Sequence, residues 1–321
     1  MQASLKATPM SKPTMRLDYL PGNDSFLDPL REDADTPEKA RVVVVPYGYE
    51  GTVSYGGGTR KGPRAILAAS QQLELFDEEF WREPYRDYGV AALREPEKIP
   101  KSPVRALERI EELVEAVIAA GQVPFVLGGE HSITAGAIRP LVRRHREDLV
   151  VLQLDAHWDL RDGYLDEHFS HAAAMRRVLD QPGHDKVTLV SIGIRAFSAP
   201  EAEYYRQNSG RIHVAFAKDQ DNWDIDAILA PLSGKPVYIT FDIDVLDSHV
   251  MPATGTPVPG GIDYRRALDV LRRATAKAGA IVGLDLVELA PIKGFPAYDF
   301  LAAQLAAKMM TYAFIRDRRG R

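Results

Sequence analysis

The sequence predicts an α/β protein of three layers, with helices covering both faces of a mostly parallel sheet. Two observations carry this expectation. Seven runs rich in β-branched residues are nearly continuous in apolarity, as strands buried on both faces should be. Stretches of helical periodicity separate them, and β–α alternation is the pattern of a parallel sheet with crossover helices.

In chain order the runs are RVVVVPYG (41–48), VPFVLGG (123–129), LVVLQLDAH (149–157), VTLVSIGIR (187–195), RIHVAFA (211–217), VYITFDIDV (237–245) and IVGLDLVEL (281–289). The clearest helix is 102–120: Ser102 can cap it, Pro103 suits its first position and Gly121 can end it. Leu107, Ile110, Leu113, Val114 and Val117 then fall on one face. Segments 263–279 and 297–316 have the same character, and SITAGAIRP should open a further helix after the turn LGGEH. Residues 1–40, rich in Pro, Asp, Ser and Thr, read as an N-terminal arm with little core of its own. No repeat, low-complexity tract or Pro/Gly-rich linker divides 41–321, which reads as one domain.

Composition removes several function classes. At 321 residues with 45% apolar and 26% charged residues, the chain can bury a sizeable core. A net charge of −5 with dispersed Lys and Arg gives no reason to expect nucleic acid or an anionic membrane as partner. The absence of Cys excludes disulfides and thiol catalysis. The first residues lack an apolar signal core and no run is long enough to span a bilayer, so a cytoplasmic protein is expected.

Four strand ends carry chemistry. LGGEHS places His131 after the second run; DAHWD places Asp155, His157 and Asp159 after the third; FDIDVLD places Asp242, Asp244 and Asp247 after the sixth; VEL places Glu288 after the seventh. Ligands of open parallel sheets gather beyond the carboxyl ends of the strands. Residues i and i+2 of an extended chain share a face, so Asp155, His157 and Asp159, and likewise Asp242 and Asp244, would point together if the strands continued through them. A lone Asp at a strand end is ordinarily a turn former, and a lone His an ordinary surface or core residue. Three such clusters are another matter. Two histidines and four aspartates offer too many ligands for one divalent ion but suit two, ~3.5 Å apart with shared carboxylates. Mixed carboxylate and imidazole favours Mn²⁺, with Fe, Co, Ni or Zn as alternatives.

The motifs GGEHS, DAHWD and FDIDVLDSHVMPATGTPVPGG together resemble the ureohydrolase family of arginases and agmatinases. VPYGYEGTVSYGGGTRKGPRAILAAS is similar to the agmatinase-type loop and its following helix, and GLDLVELAP to the family's last site segment. The likeness is colinear from about residue 41 to the C-terminus, which makes 41–321 the catalytic domain. It implies an arginase-like fold with an eight-stranded parallel sheet and two Mn²⁺ ions. Position by position, His131 and Asp159 would bind one ion, His157 and Asp244 the other, and Asp155 and Asp242 both. Glu288 matches the glutamate that receives the guanidinium, and His171 of FSHAAAMRR the histidine that shuttles a proton, although Ala172 and Ala173 stand where many agmatinases have Gly-Thr. A hydroxide held between the ions would attack the guanidinium carbon, Asp159 would take its remaining proton, and His171 would protonate the leaving amine, releasing urea.

Other departures are Glu130, where many members have Asp, Ser248 for a common proline and Ala253 for a common glycine. Every metal-ligand position is intact. Arginases hold an amino-acid head group with an Asn- and Ser-containing loop after DAHxD; here LRDGYLDEHFSHAAAM has no such Asn and carries Asp162, Asp166 and Glu167. The acidic segment suits a cationic tail, so agmatine or N1-aminopropylagmatine is the expected substrate, with Asp162 and Tyr55 as further substrate contacts. Guanidinobutyrate, guanidine and arginine are alternatives within the class, and a different dinuclear metal amidase or a non-catalytic metal-holding protein lies outside it. Tyr49, Tyr55 and Arg60 sit in a glycine-rich loop able to approach the site, and Trp158 should pack behind it. The family usually forms trimers or hexamers, so a homo-oligomer is expected.

Overall fold

The computed structural model describes residues 15–28, 31 and 36–315. Among the described residues eight strands form one sheet: β1 Val42–Tyr47, β2 Val90–Ala92, β3 Val123–Gly128, β4 Val150–Leu154, β5 Thr188–Ile194, β6 Ile212–Phe216, β7 Pro236–Asp242 and β8 Ala280–Val287. Their order is β2-β1-β3-β8-β7-β4-β5-β6, and all seven pairings are parallel. The seven apolar runs are seven of these strands. Val90–Ala92, the eighth, has three small residues and too little pattern to register in the sequence.

Alternation along β1 and β4 shows why both faces are apolar. Val42 and Val44 enter one core, shared with Ile66, Val270 and Leu305; Val43 and Val45 enter another, shared with Leu107's neighbours Ala106 and Ile110. Val150, Leu152 and Leu154 face the first core, whereas Val151 joins Trp158 and Met175 on the opposite side. The helices Gly62–Ser70, Tyr264–Lys277 and Ala297–Phe314 thus cover one face, and Pro103–Ala119, Ala174–Asp180 and Ala199–Gln207 the other. The segment SITAGAIRP is more broken than a single helix: a 3₁₀ turn at His131–Ile133 leads into Thr134–Ala137, and Pro140 lies in a separate helix, Arg139–His145.

Residues 1–14, 29–30 and 32–35 of the expected arm lie outside the described residues. Of the rest, Tyr19 pairs with Leu93 beside β2, and Phe26 and Leu27 are buried in the first core. Among the described residues no helix is long and apolar enough to cross a membrane.

Candidate active site

β3, β8, β7 and β4 are neighbours in the middle of the sheet, so their carboxyl ends deliver His131, Glu288, Asp242 and Asp155 to one place. The sheet order reverses direction there, which opens the crevice that open α/β sheets use for ligands. Gly129 permits the closest approach: a Cβ on it would lie 1.9 Å from the Tyr49 carbonyl oxygen. Its own carbonyl accepts the Glu288 amide at 2.9 Å, and Glu288 Oε1 accepts the His131 amide at 2.7 Å. The ends of β3 and β8 are thereby tied together.

The extended conformation does not continue through the ligand motifs. β4 ends at Leu154, the Asp155 carboxylate accepts the His157 amide at 2.6 Å, and Asp159 has φ +54°. β7 ends at Asp242, whose Oδ1 accepts the Asp244 amide at 2.9 Å to start a 3₁₀ turn over Ile243–Val245. Aspartate readily bonds to the backbone two residues on, and this local bond outcompetes the strand. The side chains converge because of these turns rather than through a two-residue period. Glu288 also sits in the left-handed region, φ +66°, a strained setting for a non-glycine residue and one common at functional sites.

Nδ1 of His131 lies 3.1 Å from Asp155 Oδ2, 3.1 Å from Asp159 Oδ2 and 3.3 Å from Asp242 Oδ2. Nδ1 of His157 lies 2.9 Å from Asp244 Oδ2 and 3.8 Å from Asp155 Oδ1. His131, Asp155 and Asp242 form one group able to hold a metal ion, and Asp155, His157 and Asp244 a second, with Asp155 common to both. Behind the first group, His131 Nε2 meets the Thr240 hydroxyl at 2.8 Å. Asp285, buried on β8 beside Thr240, accepts from Thr134 at 2.8 Å and Tyr238 at 2.7 Å. Gln153 on β4 holds Asp155 Oδ2 at 2.9 Å and is itself bonded by Ser191 at 2.7 Å.

The electrostatics call for a cation. Burial, then Asp244 and Asp159, push the Asp155 carboxyl up to about 7, and Asp242 is raised well above the usual range by burial and by Asp244 and Asp155. Burial opposes a charge on both histidines, yet the carboxylates lift His157 to about 11 and His131 well above its ordinary value. Burial would also raise Asp244, but His157 beside it holds it down to about 2. His131 Nδ1 is buried without a hydrogen-bond partner while facing three carboxylates. An orphaned ligand nitrogen amid uncompensated acids fits divalent metal, which supplies the charge the cluster lacks.

The ligands form the floor of a cavity of about 240 Å³, whose wall includes Ser54, Arg161, Tyr164, His171, Phe197, Glu201, Thr256 and Glu288. His171 Nδ1 is 3.3 Å from Thr52 Oγ1 and its Nε2 3.4 Å from Ser54 Oγ. The cavity therefore brings together five of the six proposed ligands with His171 and Glu288, and the sixth, Asp155, is buried behind them within reach of both histidines. Asp162 and Tyr55 lie elsewhere: Asp162 bonds Arg177 at 2.6 Å, and the Tyr55 side chain projects into solvent, 87% exposed. Trp158 packs away from the ligands, against Phe197, Tyr205 and Phe216. None of Ser54, Tyr164, Phe197, Glu201 and Thr256 was singled out in the sequence: Ser54, Tyr164 and Thr256 lie inside quoted segments, whereas Phe197 and Glu201 lie in none. The glycines of the 48–58 loop were a further signal, and they act by contact: Gly56 donates its amide to Gly255 at 3.1 Å, where either Cβ would collide with the other backbone.

Comparison with known proteins agrees with this geometry. The N(1)-aminopropylagmatine ureohydrolase of Synechocystis is 37% identical over 282 residues, 85% of this chain and 89% of that protein. The agmatinase of Bacillus subtilis is 32% identical over 290 residues, 88% of this chain and 96% of that one. The crystal structure of agmatine ureohydrolase of Thermoplasma volcanium superposes with a TM-score of 0.76 at 31% identity, over 87% of this chain and 92% of that chain. The model of the arginase family matches residues 40–313, and with these relatives it establishes that the chain belongs to the arginase family.

Proposed function

We propose that this protein is a binuclear manganese amidinohydrolase that releases urea from a guanidino compound with a cationic tail, agmatine or N1-aminopropylagmatine. One observation carries the reading: Asp155 presents a different oxygen to each of two His–Asp groups on the floor of a cavity that also contains Glu288 and His171. The names of the relatives supply the substrate class.

His131, Asp159 and the shared Asp155 and Asp242 would hold one ion; His157 and Asp244, with the same two shared groups, the other. When bound, the two ions supply the Lewis acidity that makes water nucleophilic near neutral pH. Glu288 Oε1 is occupied by the His131 amide, so its second oxygen is the acceptor available to the guanidinium. Without a cation its carboxyl is raised well above the usual range by burial and by Glu130, so a cationic substrate would restore its charge. Asp159 takes the remaining proton of the attacking water, and His171 delivers a proton to the leaving nitrogen. Urea and a free amine leave.

A second reading has one observation in its favour. Arg161 lines the cavity, with its guanidinium 4.8 Å above the Tyr164 ring and Nε 3.7 Å from Glu201 Oε2. A carboxylate-tailed compound such as guanidinobutyrate would find a partner in it. Urea release measured with Mn²⁺ across agmatine, aminopropylagmatine, arginine, guanidinobutyrate and guanidine decides between the two. Failure with every one of them removes both. The proposal extends to a homo-oligomer working in the cytoplasm, for which sizing of the native protein and cell fractionation are the checks.

A further inference from the structure

Glu130 is fully buried and is absent from both metal-holding groups. Its four acceptor positions are spent on one neighbouring segment and one hydroxyl. Oε2 accepts the Gly51 and Thr52 amides, each at 2.7 Å, and Oε1 accepts the Thr52 and Ser132 hydroxyls, each at 2.7 Å. A carboxylate so committed has nothing left for a metal or a substrate. What it does is hold Thr52.

Thr52 has one hydroxyl proton, and it goes to Glu130. Toward His171 the same oxygen can only accept, and it has two donors there: the His171 amide at 2.9 Å and Nδ1 at 3.3 Å. One proton given and two accepted is the full capacity of a hydroxyl. The proton of a neutral His171 ring is thereby assigned to Nδ1, and Nε2, on the side of Ser54 at 3.4 Å, is left as the nitrogen that exchanges protons within the cavity. The remaining neighbours do not contest this. Ser170 Oγ lies 3.5 Å from Nδ1 and is engaged by the Ala172 amide at 3.3 Å, while the Tyr164 ring stands edge-on at 6.3 Å.

We infer that Thr52 and Glu130 are positioning residues for His171: the buried carboxylate orients the Thr52 hydroxyl, which fixes both the place and the tautomer of the proton-transferring ring. Resting on the urea-releasing reading above, this deepens it by adding two residues that touch neither metal nor substrate. It also explains why a loop 119 residues from His171 in sequence must be pinned beside the motif GGEHS, 78 residues away. A histidine whose ring orientation is set by a third group is the usual arrangement where imidazole moves protons.

The test uses the manganese-loaded protein and compares Thr52→Val, Thr52→Ser and Thr52→Ala, alone and with His171→Asn. Metal content and melting temperature are measured with kcat and KM. Removing the hydroxyl (Val or Ala, whichever folds) is expected to lower kcat roughly 10- to 100-fold with KM and metal content little changed, since misplacing a proton-transfer group costs on that scale. Thr52→Ser is expected to restore turnover. In the His171→Asn background, loss of the hydroxyl is expected to add no more than about twofold, the ordinary error of additivity. Undiminished kcat in Thr52→Val and Thr52→Ala, or an undiminished effect without His171, overturns the inference. Wild-type urea release, measured first, keeps the two questions apart: its absence from every guanidino compound removes the functional reading, whereas normal wild-type turnover with indifferent Thr52 variants removes only this inference.

Discussion

The two oxygens of Asp155 face different histidines, Oδ2 lying 3.1 Å from His131 Nδ1 and Oδ1 3.8 Å from His157 Nδ1. A single carboxylate thus joins two groups that each hold further acids, and the site is one electrostatic unit. Asp155→Asn is expected to lose metal from both groups and to lower turnover on the order of 100-fold or more, the scale on which preorganised charge stabilisation acts. Asp242→Asn should behave similarly. Metal per subunit and urea release are the measurements, and wild-type turnover in either variant would overturn the proposed sharing.

Glu288→Gln separates binding of the guanidinium from binding of metal. The amide keeps the size of the side chain and an acceptor for the His131 amide, so metal content should hold. Loss of the buried charge partner should cost about 2–5 kcal/mol of substrate or transition-state binding. Steady-state kinetics beside metal analysis reads both.

Behind the proposed ligands, Thr240 sets the His131 ring. With Nε2 committed to Thr240, Nδ1 is the nitrogen left for metal. Thr240→Val should weaken metal binding roughly 10- to 100-fold, as loss of such supporting groups generally does. Competition with a chelator of known affinity measures it. Unchanged affinity would show that ring packing alone orients His131.

Asp247 anchors the loop that returns to the cavity at Thr256. It accepts the amides of His249 at 3.0 Å, Gly260 at 2.6 Å and Gly261 at 2.8 Å, and also contacts the His249 ring. Burial alone would raise its carboxyl, but the His249 and glycine bonds outweigh burial and hold it at about 2. A depressed folded value means that ionised Asp247 stabilises the protein above the unfolded value of about 3.9, and that this stability is lost as pH falls through about 2. Asp247→Asn should therefore lower the melting temperature near pH 7, with the gap to wild type closing below about pH 4. A gap that persists at pH 2 would show that the carboxylate charge is not what holds the loop.

The strands were legible because their burial on both faces writes itself into composition. Seven runs of Val, Ile and Leu became seven strands, whereas Val90–Ala92 left no comparable trace. His131, Asp155, His157, Asp159, Asp242, Asp244 and Glu288 were legible because each follows such a run, and strand ends are where a parallel sheet gathers its ligands. The reason they converge was not legible. Asp155 and Asp242 bend the chain through bonds to the backbone two residues on, so the expected continuation of the strands does not occur.

The sequence by itself determined the fold class and the family and supplied the proposed ligand set, because these depend on residue types at short spacings within single elements. Only the tertiary structure decided how they are used. It turned Asp162 toward Arg177, left Tyr55 in solvent, and set Arg161, Tyr164 and Glu201 in the cavity wall. It also linked Glu130 to His171 through Thr52, which lies 78 residues from the first and 119 from the second. No local pattern encodes a hydrogen bond between residues so far apart; it exists only once the sheet has brought its strand ends and the loops beyond them to one edge.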